Sequence, residues 1–264
     1  MQTEATPELV RRYRQDGFVV IEGLLDPAEL EEWRTVVDEA VAQRLEDRGA
    51  PLQNQADPDS YYAQIFTQCL RLADSHEGVR QRIYDPGLAA MAGQLSGADG
   101  VRVWHDQALY KPPFGNPTAW HLDNPYWSFD SDRAISVWIA LDDATRDNGC
   151  LYYLPGTHES ARFDNVSLGN NQADLLRHYP EWREIEPACA ACKAGDAVFH
   201  HGLVAHGAGA NMTNRPRRAM TCAYMPDGSQ FNGKQNVLPQ EYFESLTVGD
   251  LLDNDDINPL LWRK

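Results

Sequence analysis

Apolar positions in the first hundred residues recur at the three- and four-residue spacings of helices. Thr6-Pro7-Glu8 reads as an N-cap and first turn, and Gly17 as the stop of that helix. Phe18–Ile21 is a short run of strand type. Asp26-Pro27 then opens a second helix, from Ala28 to about Arg48, in which Leu30, Trp33, Val37 and Val41 form one apolar stripe. Residues 49–60 read as a polar loop. Tyr61 to about Ala92 is again expected to be helical, broken near Asp85-Pro86-Gly87.

From Val101 the period changes. The runs VRVWHDQALYK, AISVWIALDD, GCLYYLPG, DAVFHHGLVAHG and RRAMTCAYMP alternate with turn residues. Within one of them Ile135, Val137, Ile139 and Leu141 alternate with Ser136, Trp138 and Ala140, which predicts a strand with two different faces. Short strands at this spacing predict a sandwich or barrel. The expected fold is mainly β with flanking α-helices. No repeat or linker divides the chain, so one domain is expected over 1–264: a mostly helical flank (1–100), a β core (101–226) and a C-terminal segment (227–264). That last segment is acidic and turn-rich, and is a candidate loop for closing over a site.

Composition narrows the partners. The 264 residues are 42% hydrophobic and 23% charged, enough for a sizeable core. A net charge of −16 repels phosphate backbones and anionic membranes, so no nucleic acid and no membrane is expected as a partner. The N-terminus lacks the apolar core of a signal peptide, and no apolar run is long enough to span a bilayer. Five scattered cysteines point to reduced thiols and a cytoplasmic setting. Cys189-Ala-Ala-Cys192 is a single C-x-x-C with no second pair, and reads as incidental.

The chemistry concentrates around Trp120-His121-Leu122-Asp123. On a strand, residues two apart share a face, so His121 and Asp123 can meet one ion from one side. Either His200, His201 or His206 can complete a set of two histidines and a carboxylate, a facial triad that leaves iron(II) open sites for a 2-oxo acid and dioxygen. Since His200 and His201 are neighbours, at most one of them faces the metal. Arg217 follows His206 by eleven residues, and its guanidinium fork suits a carboxylate.

The segments WHLDNPYW, SVWIALDDATRDNGCLYYLPGTH, KAGDAVFHHGLVAHGAGAN and the following RPRRA resemble the phytanoyl-CoA dioxygenase family of iron(II)- and 2-oxoglutarate-dependent oxygenases. The opening RRYRQDGFVVIEGLLDPAEL is similar as well, so the resemblance spans most of the chain. It implies a double-stranded β-helix core of jelly-roll or cupin type with N-terminal helices. It also implies His121, Asp123 and His206 as catalytic metal ligands, with Fe(II), 2-oxoglutarate and O2 as cofactor and co-substrates. By its offset Arg217 would hold the far carboxylate of 2-oxoglutarate, while Arg215 and Arg218 stay structural or solvated. Trp138 falls where the family often lines the cofactor pocket with tryptophan, and Gln107 where a residue often contacts 2-oxoglutarate. Ala208 departs from the serine that several members carry after His-Gly.

Tyr126, Trp127 and Phe129 follow the metal motif and are candidate substrate contacts, with ordinary core packing as the alternative. Lys111-Pro-Pro reads as a turn whose ammonium is a candidate partner for an anionic substrate. His105, Asp106 and His158 are expected to be structural. The implied activity is hydroxylation, or a related oxidation, of an unactivated C–H bond in a small organic molecule, with decarboxylation of 2-oxoglutarate to succinate. Retention of Asp123 argues against halogenation. A secondary metabolite is the expected substrate class, because no basic cluster demands a CoA phosphate. The alternatives are an acyl-CoA hydroxylase, a zinc hydrolase on the same ligands, or a non-catalytic β-barrel that binds a small ligand or metal.

Overall fold

Thr6 accepts a hydrogen bond from the Leu9 amide (3.3 Å) and so opens α1 (Pro7–Asp16), which Gly17 ends at φ 79°. The computed structural model describes residues 1–46, 61, 64–164, 166 and 169–264. β1 (Phe18–Ile21) follows, then α2 (Pro27–Glu46), which buries Leu30, Trp33, Val37 and Val41 as the stripe predicts. The expected end of that helix at Arg48, and the polar loop 49–60, lie outside the described residues.

The helix expected over Tyr61–Ala92 is corrected. Among the described residues, this span holds a strand, β2 (Thr67–Leu70), a 3-10 turn at Leu72–Asp74, and two α-helices, α3 (Glu77–Ile83) and α4 (Pro86–Ser96). Pairing decides this: β2 runs antiparallel to β3 (Gly100–Lys111), from Thr67 against Tyr110 to Leu70 against Gln107. It satisfies backbone groups that β3 would otherwise leave bare at the sheet edge. The break at Asp85-Pro86 stands where expected, with the Asp85 side chain capping α4 through the Gly87 and Leu88 amides.

The remaining elements in chain order are β4 (Thr118–His121), β5 (Ile135–Ala140), β6 (Leu151–Tyr153), α5 (Leu175–His178), β7 (Ala188–Ala190), β8 (Ala197–His201), β9 (His206–Ala208), β10 (Arg217–Pro226), α6 (Gln240–Ser245) and β11 (Leu260–Arg263). They form two antiparallel sheets. The larger runs β1-β8-β5-β10-β3-β11, with β2 beside β11 on β3; the smaller runs β4-β9-β6-β7. This is the jelly-roll architecture.

β5 shows how the sequence pattern positions the site. Ile135, Val137 and Ile139 pack outward into one core with Leu30, Val37, Ile83 and Leu88 of the helices. Ser136 and Trp138 face inward and line a cavity between the sheets. Burial of each such aliphatic side chain contributes roughly 1.5–3 kcal/mol, so this alternation fixes which face of β5 meets the site. β10 behaves alike: Arg217, Thr221 and Ala223 face the cavity, while Met220, Cys222 and Tyr224 join the outer core. Arg218 also points outward, bonded to Asp142 and Asp38, and Arg215 is exposed.

Only part of the C-terminal segment approaches the cavity. Asn236 and Val237 line it, whereas the chain end becomes β11, an edge strand against β3. No described helix is long and apolar enough to cross a membrane.

Candidate metal and co-substrate site

β4 and β9 are paired so that His121 stands opposite His206, their ring centres 4.1 Å apart. Gly207 permits this closeness, since a Cβ there would come 2.7 Å from the Thr118 carbonyl oxygen. Asp123 is not on the strand, as the two-residue spacing had implied. β4 stops at His121, and Asp123 has turn geometry (φ −77°, ψ −52°) ahead of a short 3-10 turn over Asn124–Tyr126. Pro125 has no amide hydrogen to donate to a ladder, and the Asn124 amide is bonded to the Gly202 carbonyl, so the chain turns there. The turn brings the carboxylate back to the histidines.

Among the described residues, His121, Asp123 and His206 form the one cluster of three or more metal-competent groups, each offering a ligand atom within 4.8 Å of the others. Nε2 of His121 and Nε2 of His206 each lie 3.6 Å from Asp123 Oδ1. Both Nδ1 atoms meet backbone carbonyls, His121 at Ala119 (2.9 Å) and His206 at Val204 (3.1 Å). A carbonyl only accepts, so each Nδ1 carries its hydrogen, and Nε2 is the ring nitrogen turned toward the metal position. Burial, reinforced by His121, holds His206 well below the ordinary histidine range. Burial alone would raise the Asp123 pKa, but the neighbouring imidazoles of His206, His121 and His200 outweigh it and hold the carboxyl well below its usual range. A His206 imidazole held neutral beside an ionised Asp123 carboxylate suits a divalent cation, which binds those forms.

The rival histidines are accounted for by their partners. His200 Nε2 donates to Asp123 Oδ2 (3.1 Å), and its Nδ1 accepts from the Tyr153 hydroxyl (3.0 Å). With that hydrogen on Nε2, His200 orients the carboxylate and has no lone pair toward the centre. Ser136 donates to the same Oδ2 (3.0 Å). His201 faces away, donating to the Asp132 carbonyl (2.7 Å) and accepting from the Leu203 amide (3.0 Å).

The cavity has a volume of about 430 Å³. Arg217 lies in its wall, 2% exposed, with its guanidinium carbon 5.0 Å from the centre of the Trp138 ring. Its Nε and Nη1 are buried without a hydrogen-bond partner, and burial pulls its pKa down to about 10. A buried cation with unpaired donors is costly unless an anion arrives to meet it. The arginine therefore fits a carboxylate of 2-oxoglutarate, as the ligand set fits iron. Gln107 also faces the cavity and accepts from Gln68 Nε2 (2.5 Å).

Tyr126 and Trp127 line the cavity too, the Tyr126 hydroxyl donating to the Val166 carbonyl. Phe129 and Lys111 do not reach its wall. Phe129 is fully enclosed beneath it, edge-on to Trp104 (5.3 Å between ring centres), because that half of the inter-sheet space is filled by aromatic packing. Lys111 ends β3 opposite Arg217, and its ammonium donates to the Asn116 (2.5 Å) and Ile65 (3.4 Å) carbonyls instead of pointing inward. Burial, with Arg217 nearby, lowers its pKa to about 7.

Sequence reasoning missed several wall residues. Gln68 and Leu70 arrive on β2 and Phe66 just ahead of it, a strand whose character the pattern does not show. His105 lines the cavity, and its Nδ1 is buried and unpartnered. Ser136 was findable, since it shares the inward face of β5 with Trp138.

Two facing antiparallel sheets with a His-Asp-His cluster at one end and a buried arginine in the wall define a double-stranded β-helix oxygenase. The chain belongs to the phytanoyl-CoA dioxygenase (PhyH) family, which it matches over residues 13–219, and is an iron(II)- and 2-oxoglutarate-dependent dioxygenase. It is 28% identical to methylphosphonate hydroxylase of Gimesia maris, over 85% of this chain and 82% of that one. Against the peroxisomal phytanoyl-CoA dioxygenase of Homo sapiens it is 26% identical, over 92% of this chain and 75% of the other. Among solved structures it is similar to the non-heme alpha ketoglutarate dependent carbocyclase SnoK from nogalamycin biosynthesis (TM-score 0.80, 27% identity, 98% and 97% of the two chains). The epimerase SnoN in complex with Fe3+, alpha ketoglutarate and nogalamycin RO is also similar (TM-score 0.76, 25% identity, 97% and 98%).

Proposed function

We propose that this protein oxidises an unactivated C–H bond of a small natural-product-like molecule, hydroxylation being the simplest outcome. In this reading His121, Asp123 and His206 hold iron(II), and Arg217 holds the far carboxylate of 2-oxoglutarate. Bound iron with 2-oxoglutarate and dioxygen supplies the oxidising power, as 2-oxoglutarate is decarboxylated to succinate. The chain's own work is positioning. His200 and Ser136 fix Asp123, the Ala119 and Val204 carbonyls fix the two imidazoles, and Trp138 flanks the guanidinium. Apolar and aromatic groups, among them Phe66, Leu70, Trp127 and Val237, keep the remaining wall dry enough to exclude side reactions.

The cavity lining carries the choice of substrate class. Among the described wall residues Arg217 is the one lysine or arginine side chain. Once 2-oxoglutarate takes it, a phosphonate or phosphate meets no second lysine or arginine among the described wall residues. This supports a neutral, partly apolar substrate over a phosphonate or an acyl-CoA. The kinship in fold with SnoK and SnoN, both from nogalamycin biosynthesis, agrees with it.

The test is anaerobic titration of the metal-free protein with iron(II) and then 2-oxoglutarate. A weak visible charge-transfer band is expected, abolished in His121→Ala and weakened in Arg217→Ala. Iron binding without any such band would overturn the reading.

A further inference from the structure

Outside the cavity, the minor sheet brings two thiols together. Cys150, directly ahead of β6, is fully buried, and its Sγ lies 3.4 Å from Sγ of half-buried Cys189 in β7. The ladder explains the meeting, since Tyr152 pairs with Cys189 and Leu151 with Ala190. Cys150 and Tyr152 are two apart, so both project from the face of the ladder on which Cys189 lies.

The C-x-x-C spacing in the sequence does not mark this pair. From Cys189 the chain runs on extended to Cys192, which bridges to Ala144. Three residues of strand separate their Cα atoms by roughly 10 Å, beyond the ~7 Å limit for a disulfide. Cys192 Sγ instead contacts the Ala190 carbonyl (3.5 Å). The thiols do not make a metal site either, because no described three-donor cluster other than His121, Asp123 and His206 converges within 4.8 Å.

We propose that Cys150 and Cys189 are an oxidation site that closes to a disulfide when the protein meets hydrogen peroxide. Cys189, which solvent reaches, reacts first: its thiolate sulfur attacks a peroxide oxygen, the O–O bond breaks, and a sulfenic acid and hydroxide result. The Cys150 sulfur then attacks the Cys189 sulfur and displaces the second hydroxide. Two thiols lose two electrons, the peroxide is reduced to two waters, and the thiol protons end in those waters. Closing the Sγ pair to about 2 Å requires side-chain rotation on the order of 1 Å. Burial and the neighbouring Cys189 thiol push Cys150 up to about 12, so it acts as the resolving partner and not as the first to react. The new bond joins residues 39 apart in sequence and staples the edge of the minor sheet.

The full chain, reduced and then exposed to hydrogen peroxide in the presence of a chelator, provides the test. Intact mass is expected to fall by about 2 Da. Non-reducing peptide mapping should join the peptide holding Cys150 to the one holding Cys189. Cys192→Ser keeps the change, whereas Cys150→Ser and Cys189→Ser each abolish it. The oxidised wild type melts several degrees higher than the reduced protein, and dithiothreitol reverses the shift. Cys189→Ser changes a half-buried position, so it remains informative if the fully buried Cys150→Ser misfolds. A disulfide retained in Cys189→Ser, or mass gain at Cys189 with no crosslink, would overturn the assignment.

Discussion

His200 Nε2 lies 3.1 Å from Asp123 Oδ2, whereas His121 and His206 both approach Oδ1 at 3.6 Å. One carboxylate thus serves two masters, offering one oxygen to the metal position and the other to a hydrogen-bonded anchor that Tyr153 holds in turn. Replacing His200 by Phe removes the anchor and leaves Ser136 to hold Oδ2 alone. Iron(II) affinity is expected to fall about 10- to 100-fold, with His200→Gln falling less. Metal titration of the three proteins checks this, and an unchanged affinity in His200→Phe would deny the anchor its role.

Arg217 should move two quantities in opposite directions. Arg217→Met removes a buried charge with two unpaired donors, so the ligand-free protein is expected to gain roughly 1–3 kcal/mol in stability. The same change weakens 2-oxoglutarate binding by about 2–5 kcal/mol, the cost of truncating a buried charge-assisted contact. Chemical denaturation and calorimetric titration read the two effects separately. A variant that binds 2-oxoglutarate normally would move the clamp elsewhere.

Gly207 sets the approach of β9 to β4. In Gly207→Ala the new Cβ meets the Thr118 carbonyl oxygen at 2.7 Å, and backbone has to shift to relieve the contact. The variant is expected to lose about 1–3 kcal/mol of stability. Because His121 and His206 ride on those two strands, iron affinity should fall with it. Thermal melts with and without metal distinguish a loosened site from a general loss of fold.

Lys111 should give the protein a pH signature. Its folded pKa is lowered to about 7 by burial, so above that value the unfolded chain binds a proton that the folded chain does not. The Lys111 contribution to stability therefore rises with pH from about 7, by about 1.4 kcal/mol per unit once Lys111 is neutral. Toward about 8.5 the thiols of Cys69, Cys150, Cys192 and Cys222, all raised by burial, begin to oppose it. Lys111→Met should flatten the rise between pH 7 and 8.5, as denaturant midpoints across that range would reveal. Equal slopes in both proteins would place the proton on another group.

Much of the site could be read in the chain because its residues sit in strong local patterns. The alternation in β5 predicts two different faces with Trp138 opposite to Ile135, the family resemblance puts Trp138 at the cofactor pocket, and the His-x-Asp spacing predicts that His121 and Asp123 meet at one centre. The mechanism inferred for that spacing was wrong, since Asp123 returns through a turn and not along a strand. β2 was illegible because four residues carry little pattern of their own, and their strand character comes from the edge of β3, forty residues on. Lys111 and Phe129 misled for the opposite reason: neighbours on other segments, the Asn116 carbonyl and the Trp104 ring, claim side chains whose chemistry alone suggested a site.

The proposed metal ligands ride on or beside the minor sheet, and Arg217 on the major one. The two sheets therefore work as the jaws of a caliper. Under the proposed function, a diacid held at the metal position by one end and at the guanidinium by the other would have its length gauged by the gap between them. The inter-sheet packing of Trp138, Ala140, Leu151, Tyr153 and Val198 sets that gap. Selectivity for the carbon count of the co-substrate is then a property of the hydrophobic core, adjustable by residues that touch neither end of it.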